Sequence, residues 1–213
     1  MKKPIKCILF DCDGVLVDSE PIALSTLVYQ ANKLGVDIDL DFATQYFKGN
    51  SLEGVVDILE TFRKKSVPIN FEQTYRTITF DRFKKELKPI VGITELLPQL
   101  TIPFAVASSG PQHKIRLNLE ITGLIHQFDG NIFSCYDLQK WKPDPAIYIH
   151  AAKQMGFDPK ECLIIEDSLM GVQAAAASGA VVYAYAEHAH NKEELQATGA
   201  TLFYDMLDIL EIL

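Results

Sequence analysis

Ile5-Lys6-Cys7-Ile8-Leu9-Phe10-Asp11-Cys12-Asp13-Gly14 is an apolar, β-rich run that ends abruptly in two aspartates and a glycine. A near-continuous apolar run predicts a strand covered on both faces, as in a parallel sheet. Four later runs have the same character: Phe104-Ala105-Val106-Ala107, Ile132-Phe133, Cys162-Leu163-Ile164-Ile165 and Val181-Val182-Tyr183. Helical segments at 144–155 and 169–178 separate the later ones. This alternation predicts an α/β fold with a doubly wound parallel core. Four of the strands end in polar residues. The first ends in Asp11-Cys12-Asp13-Gly14 and the second in Ser108-Ser109-Gly110; past the third comes Lys140-Trp141-Lys142-Pro143, and the fourth ends in Glu166-Asp167-Ser168. Carboxyl ends of parallel strands form the ligand crevice of such sheets. These groups are therefore expected to converge despite their distance in sequence.

Residues 19–87 break the rhythm and read as four helices, at 21–34, 42–47, 52–64 and 71–87. Pro21 suits a first helical turn, with Ser19 as its cap, and Gly35 suits the end of that helix. Leu24, Leu27, Val28, Ala31 and Leu34 recur at helical spacing and read as core. Residues 88–92 then return the chain to the α/β pattern. The expected domains are a core of 1–18 and 88–213 and a helical insert of 19–87.

The chain has 213 residues, 48% of them hydrophobic, and a formal net charge of -8. That size supports a sizeable core, and the acidic balance argues against nucleic acid or an anionic membrane as partner. Met1-Lys2-Lys3-Pro4 precedes an apolar stretch interrupted by Asp11 and Asp13, which does not read as a signal peptide. Residues 168–186 lack charged and His side chains, but they are rich in Ala and include Ser168, Gln173 and Ser178. A buried helix running into a buried strand is expected there, and no membrane span. Cys7, Cys12, Cys135 and Cys162 form no CxxC or zinc-ligand spacing and read as free thiols in a reducing cytoplasm. No interface patch stands out, so a monomer is expected.

Carboxylates crowded at strand ends repel unless a cation joins them. Oxygen donors with few His or Cys nearby point to a hard ion, Mg²⁺ above Zn²⁺. A carboxylate can also attack phosphorus. Phosphoryl transfer then needs neutralising cations, short hydrogen-bond donors and a proton donor for the leaving oxygen. Asp13 can supply the proton if Gly14 lets the chain bend.

Asp11-Cys12-Asp13-Gly14-Val15-Leu16-Val17-Asp18-Ser19-Glu20 resembles the first motif of the haloacid dehalogenase-like hydrolases. Ser108, Lys142 with Pro143, and Glu166-Asp167-Ser168 with Gly171 resemble the second, third and fourth, in order. The resemblance implies a Rossmann-like core carrying a helical cap that closes over a small phosphorylated metabolite. It also implies roles. Asp11 is the nucleophile and a Mg²⁺ ligand, while Asp13 is the acid/base and binds the ion through its backbone carbonyl. Ser108 and Lys142 hold the phosphoryl oxygens, although Ser109 is an alternative to Ser108 and Lys140 to Lys142. Asp167 ligates Mg²⁺, with Glu166 beside it as a second-tier ligand.

Phe47-Lys48-Gly49, Ser109-Gly110-Pro111, the run from Tyr136 to Ala146 around Trp141, and His190-Asn191-Lys192 resemble the branch of bacterial 6-phosphogluconate phosphatases. Lys48 and Gly49 are accordingly candidate substrate contacts, as is Ser109, with Lys114 a further candidate cation. Trp141 is expected to pack the loop that aims Lys142. The runner-up is a β-phosphoglucomutase-like mutase, weakened because Leu52 stands where the arginine that grips a second phosphate is expected. A catalytically silent binding protein is the third reading. His113, His126 and His150 read as ordinary residues, and His188 with His190 as a near pair.

Overall fold

The computed structural model describes residues 4–48, 50–128, 130–187, 189 and 191–213. Gly49, His188, His190 and the first three residues, all read above, lie outside the described residues. The chain divides into two compact units, one ending its first segment at Asp18 and resuming over Lys88–Leu213, the other spanning Ser19–Leu87.

In the first unit, strands β1 (Cys7–Phe10), β2 (Phe104–Ser108), β3 (Ile132–Ser134), β4 (Cys162–Glu166), β5 (Val181–Tyr185) and β6 (Thr201–Phe203) form one parallel sheet in the order β3-β2-β1-β4-β5-β6. Winding runs outward from β1 to β3, then restarts at β4 on the other side of β1. The crevice between β1 and β4 is therefore the point where strand order reverses, the place where such sheets bind ligands. Register puts Phe10 beside Ile165, and the Asp11 N–H still donates to Ile165 O at 3.0 Å. Asp11 thus leaves β1 level with the end of β4. The edge strand β6 was not expected from sequence. It has three residues, with an exposed Thr201 in place of a continuous apolar run.

Helices α1 (Glu20–Lys33), α2 (Leu40–Tyr46), α3 (Leu52–Arg63) and α4 (Phe71–Glu86) make up the second unit. The first unit carries α5 (Ile93–Leu96), α6 (Gln112–Ile121), α7 (Cys135–Leu138), α8 (Ala146–Gln154), α9 (Leu169–Ser178), α10 (Lys192–Ala197) and α11 (Ile209–Ile212). Side chains of a strand alternate between faces. Cys7 and Leu9, Ala105 and Ala107, and Cys162 and Ile164 accordingly share one buried cluster with Ile147, Tyr148, Ala151 and Ala152 of α8 and Val172, Ala174 and Ala175 of α9. The alanines let both helices lie close on the sheet, which explains the uncharged stretch over 168–186. Among the described residues no helix is long and apolar enough to cross a membrane. All four cysteines are free and buried, with Cys7 opposite Cys162 in register.

The helical unit has its own core of Leu27, Ala31, Ala43, Phe47, Val55, Leu59 and Phe71. Helix α2 begins at Leu40, earlier than expected, because the Asp39 carboxylate accepts from Phe42 N–H at 2.8 Å. Ser51 caps α3 in the same way through Gly54 N–H at 3.1 Å. Ser19 precedes α1 with helical backbone angles and makes no side-chain cap, a correction to the expected role, since Pro21 already sets the first turn. Arg82 of α4 pairs with Glu86 and donates to Ser25 Oγ and Thr26 Oγ1, tying α4 to α1.

Candidate active site

The β1 end turns sharply. Gly14 has φ of +83°, its N–H donates to Val17 O at 2.9 Å, and Val17 in turn bridges to Pro89. A side chain at Gly14 would be strained by that φ and would also collide with Asp167, since a Cβ there would stand 2.2 Å from Oδ2. The glycine thus lets Asp13 turn back toward the crevice and lets the Asp167 carboxylate lie against the turn. Asp11, Glu166 and Asp167 each present an oxygen within 4.8 Å of the others.

Lys142 enters this cluster from the loop between α7 and α8. Its Nζ donates to Asp11 Oδ1 at 2.7 Å, to Glu166 Oε1 at 2.6 Å and to Ala107 O at 3.2 Å, which uses all three ammonium protons. It also lies 4.9 Å from the ring centre of Tyr148. Lys140, the sequence competitor, is largely exposed and pairs with Asp144 at 3.6 Å. Trp141 packs edge-on against Tyr136, with ring centres 5.5 Å apart. Trp141 therefore packs the loop that carries the buried lysine onto α7.

Glu166 has no solvent exposure, yet both its oxygens are satisfied. Oε1 accepts from Lys142 and from Tyr148 O–H at 2.7 Å; Oε2 accepts from the N–H groups of Asp167 and Ser168 and from Ser168 Oγ, each at 3.0 Å. Gly171 makes this possible. A Cβ there would sit 1.8 Å from Oε1.

The electrostatics follow from burial and pairing. Burial pushes the Asp11 carboxyl up to about 7; Lys142 pulls it down, while Glu166 and Asp13 add to the rise. Burial likewise works against the Glu166 anion, but Lys142, Tyr148 and Ser168 outweigh it and hold Glu166 below its ordinary value. For Lys142, burial disfavours the ammonium, and Asp11 and Glu166 together overcome it, leaving the amine well above its usual range. Burial and Glu166 push the Tyr148 phenol up, so it stays a donor.

Ser108 closes β2 and is buried, its Oγ accepting from Gly110 N–H at 3.1 Å; Ser109 is exposed and its Oγ lies 3.9 Å from Cys135 Sγ. Asp13 stands at the rim, where Lys114 Nζ donates to Oδ2 at 2.8 Å and Asn118 Nδ2 donates to Oδ1 at 3.4 Å. Asp11, Asp13, Lys142, Glu166 and Asp167 are therefore brought together with partners that sequence reasoning did not name, Tyr148 and Asn118. Asn118 had a signal: it interrupts the apolar stripe of Ile115 and Leu119 on α6. Tyr148 had a weaker one, as a phenol among the apolar residues of α8.

Lys48 belongs to the helical unit, where its Nζ lies 2.5 Å from Glu20 Oε2. Both line a cavity of 170 Å³ with Leu24, Phe47, Asn50 and Tyr75. Gly49 lies outside the described residues. His150 stacks edge-on against Phe133.

The cluster suits a divalent cation. Asp11 and Glu166 pair with Lys142 and Asp13 pairs with Lys114, while an Asp167 oxygen lies within 4.8 Å of oxygens of Asp11 and Glu166. The three grouped acids, Asp11, Glu166 and Asp167, offer oxygen donors alone, which is the chemistry of a hard ion.

The haloacid dehalogenase-like hydrolase family profile matches residues 5–179. The 6-phosphogluconate phosphatase of Escherichia coli K12 is 35% identical over 189 residues, covering 88% of this chain and 86% of its own. A haloacid dehalogenase-like protein of Agrobacterium tumefaciens C58 superposes with a TM-score of 0.90 at 28% identity, covering 98% of this chain and 97% of that one. A hydrolase of the same family from Deinococcus radiodurans R1, solved with bound phosphate and sodium, has a TM-score of 0.84 at 29% identity and covers 97% and 93%. The ordered strand-end residues, the reversal point that gathers them and the match over most of the chain agree, and the protein belongs to the haloacid dehalogenase-like hydrolases.

Proposed function

We propose that the chain is a Mg²⁺-dependent phosphatase that hydrolyses a small phosphorylated metabolite, a sugar phosphate or 6-phosphogluconate-like ester, through a phospho-aspartate on Asp11. One observation carries this reading: the Asp11 carboxylate is buried at the strand-order reversal, beside Lys142 and within 4.8 Å of Asp167. The names of the relatives support it, since the E. coli protein is a sugar-acid phosphatase and the Deinococcus hydrolase holds phosphate.

In the first step an Asp11 carboxylate oxygen attacks phosphorus in line and the bond to the ester oxygen breaks. Asp13 gives its proton to that departing oxygen, so the products are an alcohol and an aspartyl phosphate. In the second step water attacks the same phosphorus, Asp13 takes the water proton, and the bond to Asp11 breaks to release phosphate. Lys142 keeps its charge throughout and can turn a proton from Asp11 to a phosphoryl oxygen. Ser108 offers its hydroxyl to another. Glu166 anchors Lys142 and orients it. Asp11 and Asp167, with the Asp13 backbone carbonyl, would hold Mg²⁺, and Glu166 stands behind them with its oxygens already engaged. When bound, the ion supplies positive charge that offsets charge on the phosphoryl oxygens.

The test is a screen of phosphorylated metabolites for phosphate release with Mg²⁺ present, with sugar phosphates, 6-phosphogluconate and p-nitrophenyl phosphate included. Phosphate release from some of these, abolished by Asp11→Asn with the fold retained, is the expected outcome. Near wild-type turnover by Asp11→Asn would end the nucleophile assignment. Conversion of β-glucose 1-phosphate to glucose 6-phosphate without free phosphate would make the protein a mutase.

A further inference from the structure

We propose that Lys114 and Asn118 are positioning residues, through which helix α6 holds the Asp13 carboxylate by both oxygens in the orientation proton transfer needs. This rests on the reading of Asp13 as acid/base. The two residues are four apart, so they project from one face of α6. Lys114 Nζ takes Oδ2 at 2.8 Å and Asn118 Nδ2 takes Oδ1 at 3.4 Å. A carboxylate gripped at each oxygen by a different donor cannot rotate freely about its χ2, a torsion that is otherwise broad.

Asn118 is the more telling of the two. It has no solvent exposure and lies between Ile115 and Leu119, where a leucine would complete the stripe. Its Oδ1 is buried without a hydrogen-bond partner among the described residues. An unmet buried acceptor destabilises a fold. Flipping the amide would not help, because it would set the Asn118 oxygen against the Asp13 oxygen. The residue therefore sits at a stability cost, and what it contributes is a donor to Asp13. Lys114 supplies the stronger, charged contact from the half-buried rim, its side chain 23% exposed. The hydrogen bonds that reach the site from these two side chains go to Asp13. Their route to the chemistry is through Asp13.

Kinetics on the intact chain with saturating Mg²⁺ test this, comparing an alkyl phosphate with p-nitrophenyl phosphate. Lys114→Met is expected to lower kcat for the alkyl ester ten- to hundred-fold with KM within twofold, and to lower it less for the aryl ester, whose leaving group needs little protonation. Lys114→Arg should recover part of the loss. In an Asp13→Asn background, read by single-turnover measurement, Lys114→Met should cost less than a further twofold, because the group it serves is already gone. An equal loss in both backgrounds, a raised KM with unchanged kcat, or no effect at all would overturn the proposal. Asn118→Leu should keep or raise the thermal midpoint while lowering kcat; a lowered midpoint with unchanged kcat would make Asn118 structural. Wild-type turnover in Asp13→Asn alone would remove the acid/base reading, and that failure shows in the single variant before Lys114 is touched.

Discussion

The Lys142 ammonium lies 2.6 Å from Oε1 of Glu166, a carboxylate with no solvent exposure, and 2.7 Å from Oδ1 of Asp11. A buried charge persists only when paired and hydrogen-bonded. Glu166 meets that condition through Tyr148, Ser168 and two backbone N–H groups as well as Lys142. The lysine is thereby held from one side by a fixed anion and faces the proposed nucleophile on the other.

Removing that ammonium leaves Glu166 and Asp11 without their main counter-charge. Lys142→Met is expected to lower stability by about 3–5 kcal/mol, the cost of breaking a buried pair, and turnover by roughly 10²–10³-fold. Urea unfolding and steady-state phosphate release measure the two. An unchanged unfolding midpoint would contradict the buried pairing.

Two glycine substitutions separate space from backbone strain. Gly171→Ala drives a methyl into the buried Glu166 carboxylate, whereas Gly35→Ala meets nothing within 4 Å and suffers only its φ of +81°. Gly171→Ala should cost about 1–3 kcal/mol by overpacking and depress kcat at least ten-fold by displacing Glu166 and with it Lys142. Gly35→Ala should cost about 1–2 kcal/mol with kcat unchanged at 25 °C. Equal kinetics for the two variants would refute the packing account of Gly171.

Chelation is expected to abolish turnover and Mg²⁺ to restore it. Asp167→Asn should raise the Mg²⁺ concentration for half-maximal rate more than ten-fold. It should also erase the Mg²⁺-induced rise in thermal midpoint while leaving the metal-free protein as stable or more so, because one of the crowded carboxylates is neutralised. A full thermal response to Mg²⁺ in Asp167→Asn would exclude it as a ligand.

Lys48 and Glu20 are only partly exposed, and their ion pair should contribute under about 1 kcal/mol. If Lys48 reaches substrate, Lys48→Met raises KM for a sugar phosphate while kcat stays within twofold, and the thermal midpoint barely moves. A fall in kcat at constant KM would place its effect elsewhere.

Much of this protein is written locally. Apolar runs at 5–10, 104–107 and 162–165 mark strands because a strand covered on both faces has no polar positions, and the structure has β1, β2 and β4 there. The short edge strand β6 escaped notice, since three residues with an exposed end leave no periodic trace. Asp11, Asp13 and Glu166-Asp167 stood out because acidic residues at the ends of apolar runs are conspicuous. Tyr148 and Asn118 did not, because each lies within an amphipathic helix where one polar residue resembles ordinary variation.

The positions of β1 to β5, the acidic strand ends and the helical stretch over 19–87 follow from residue order alone, since apolar runs and helix periodicity are properties of neighbours. Which lysine is buried, which donors grip Asp13 and how Tyr148 reaches Glu166 depend on contacts spanning 18 to 131 residues. Those contacts exist only once the sheet order has set β1 between β2 and β4, because desolvation and hydrogen bonding act on atoms near in space, however far apart they are along the chain.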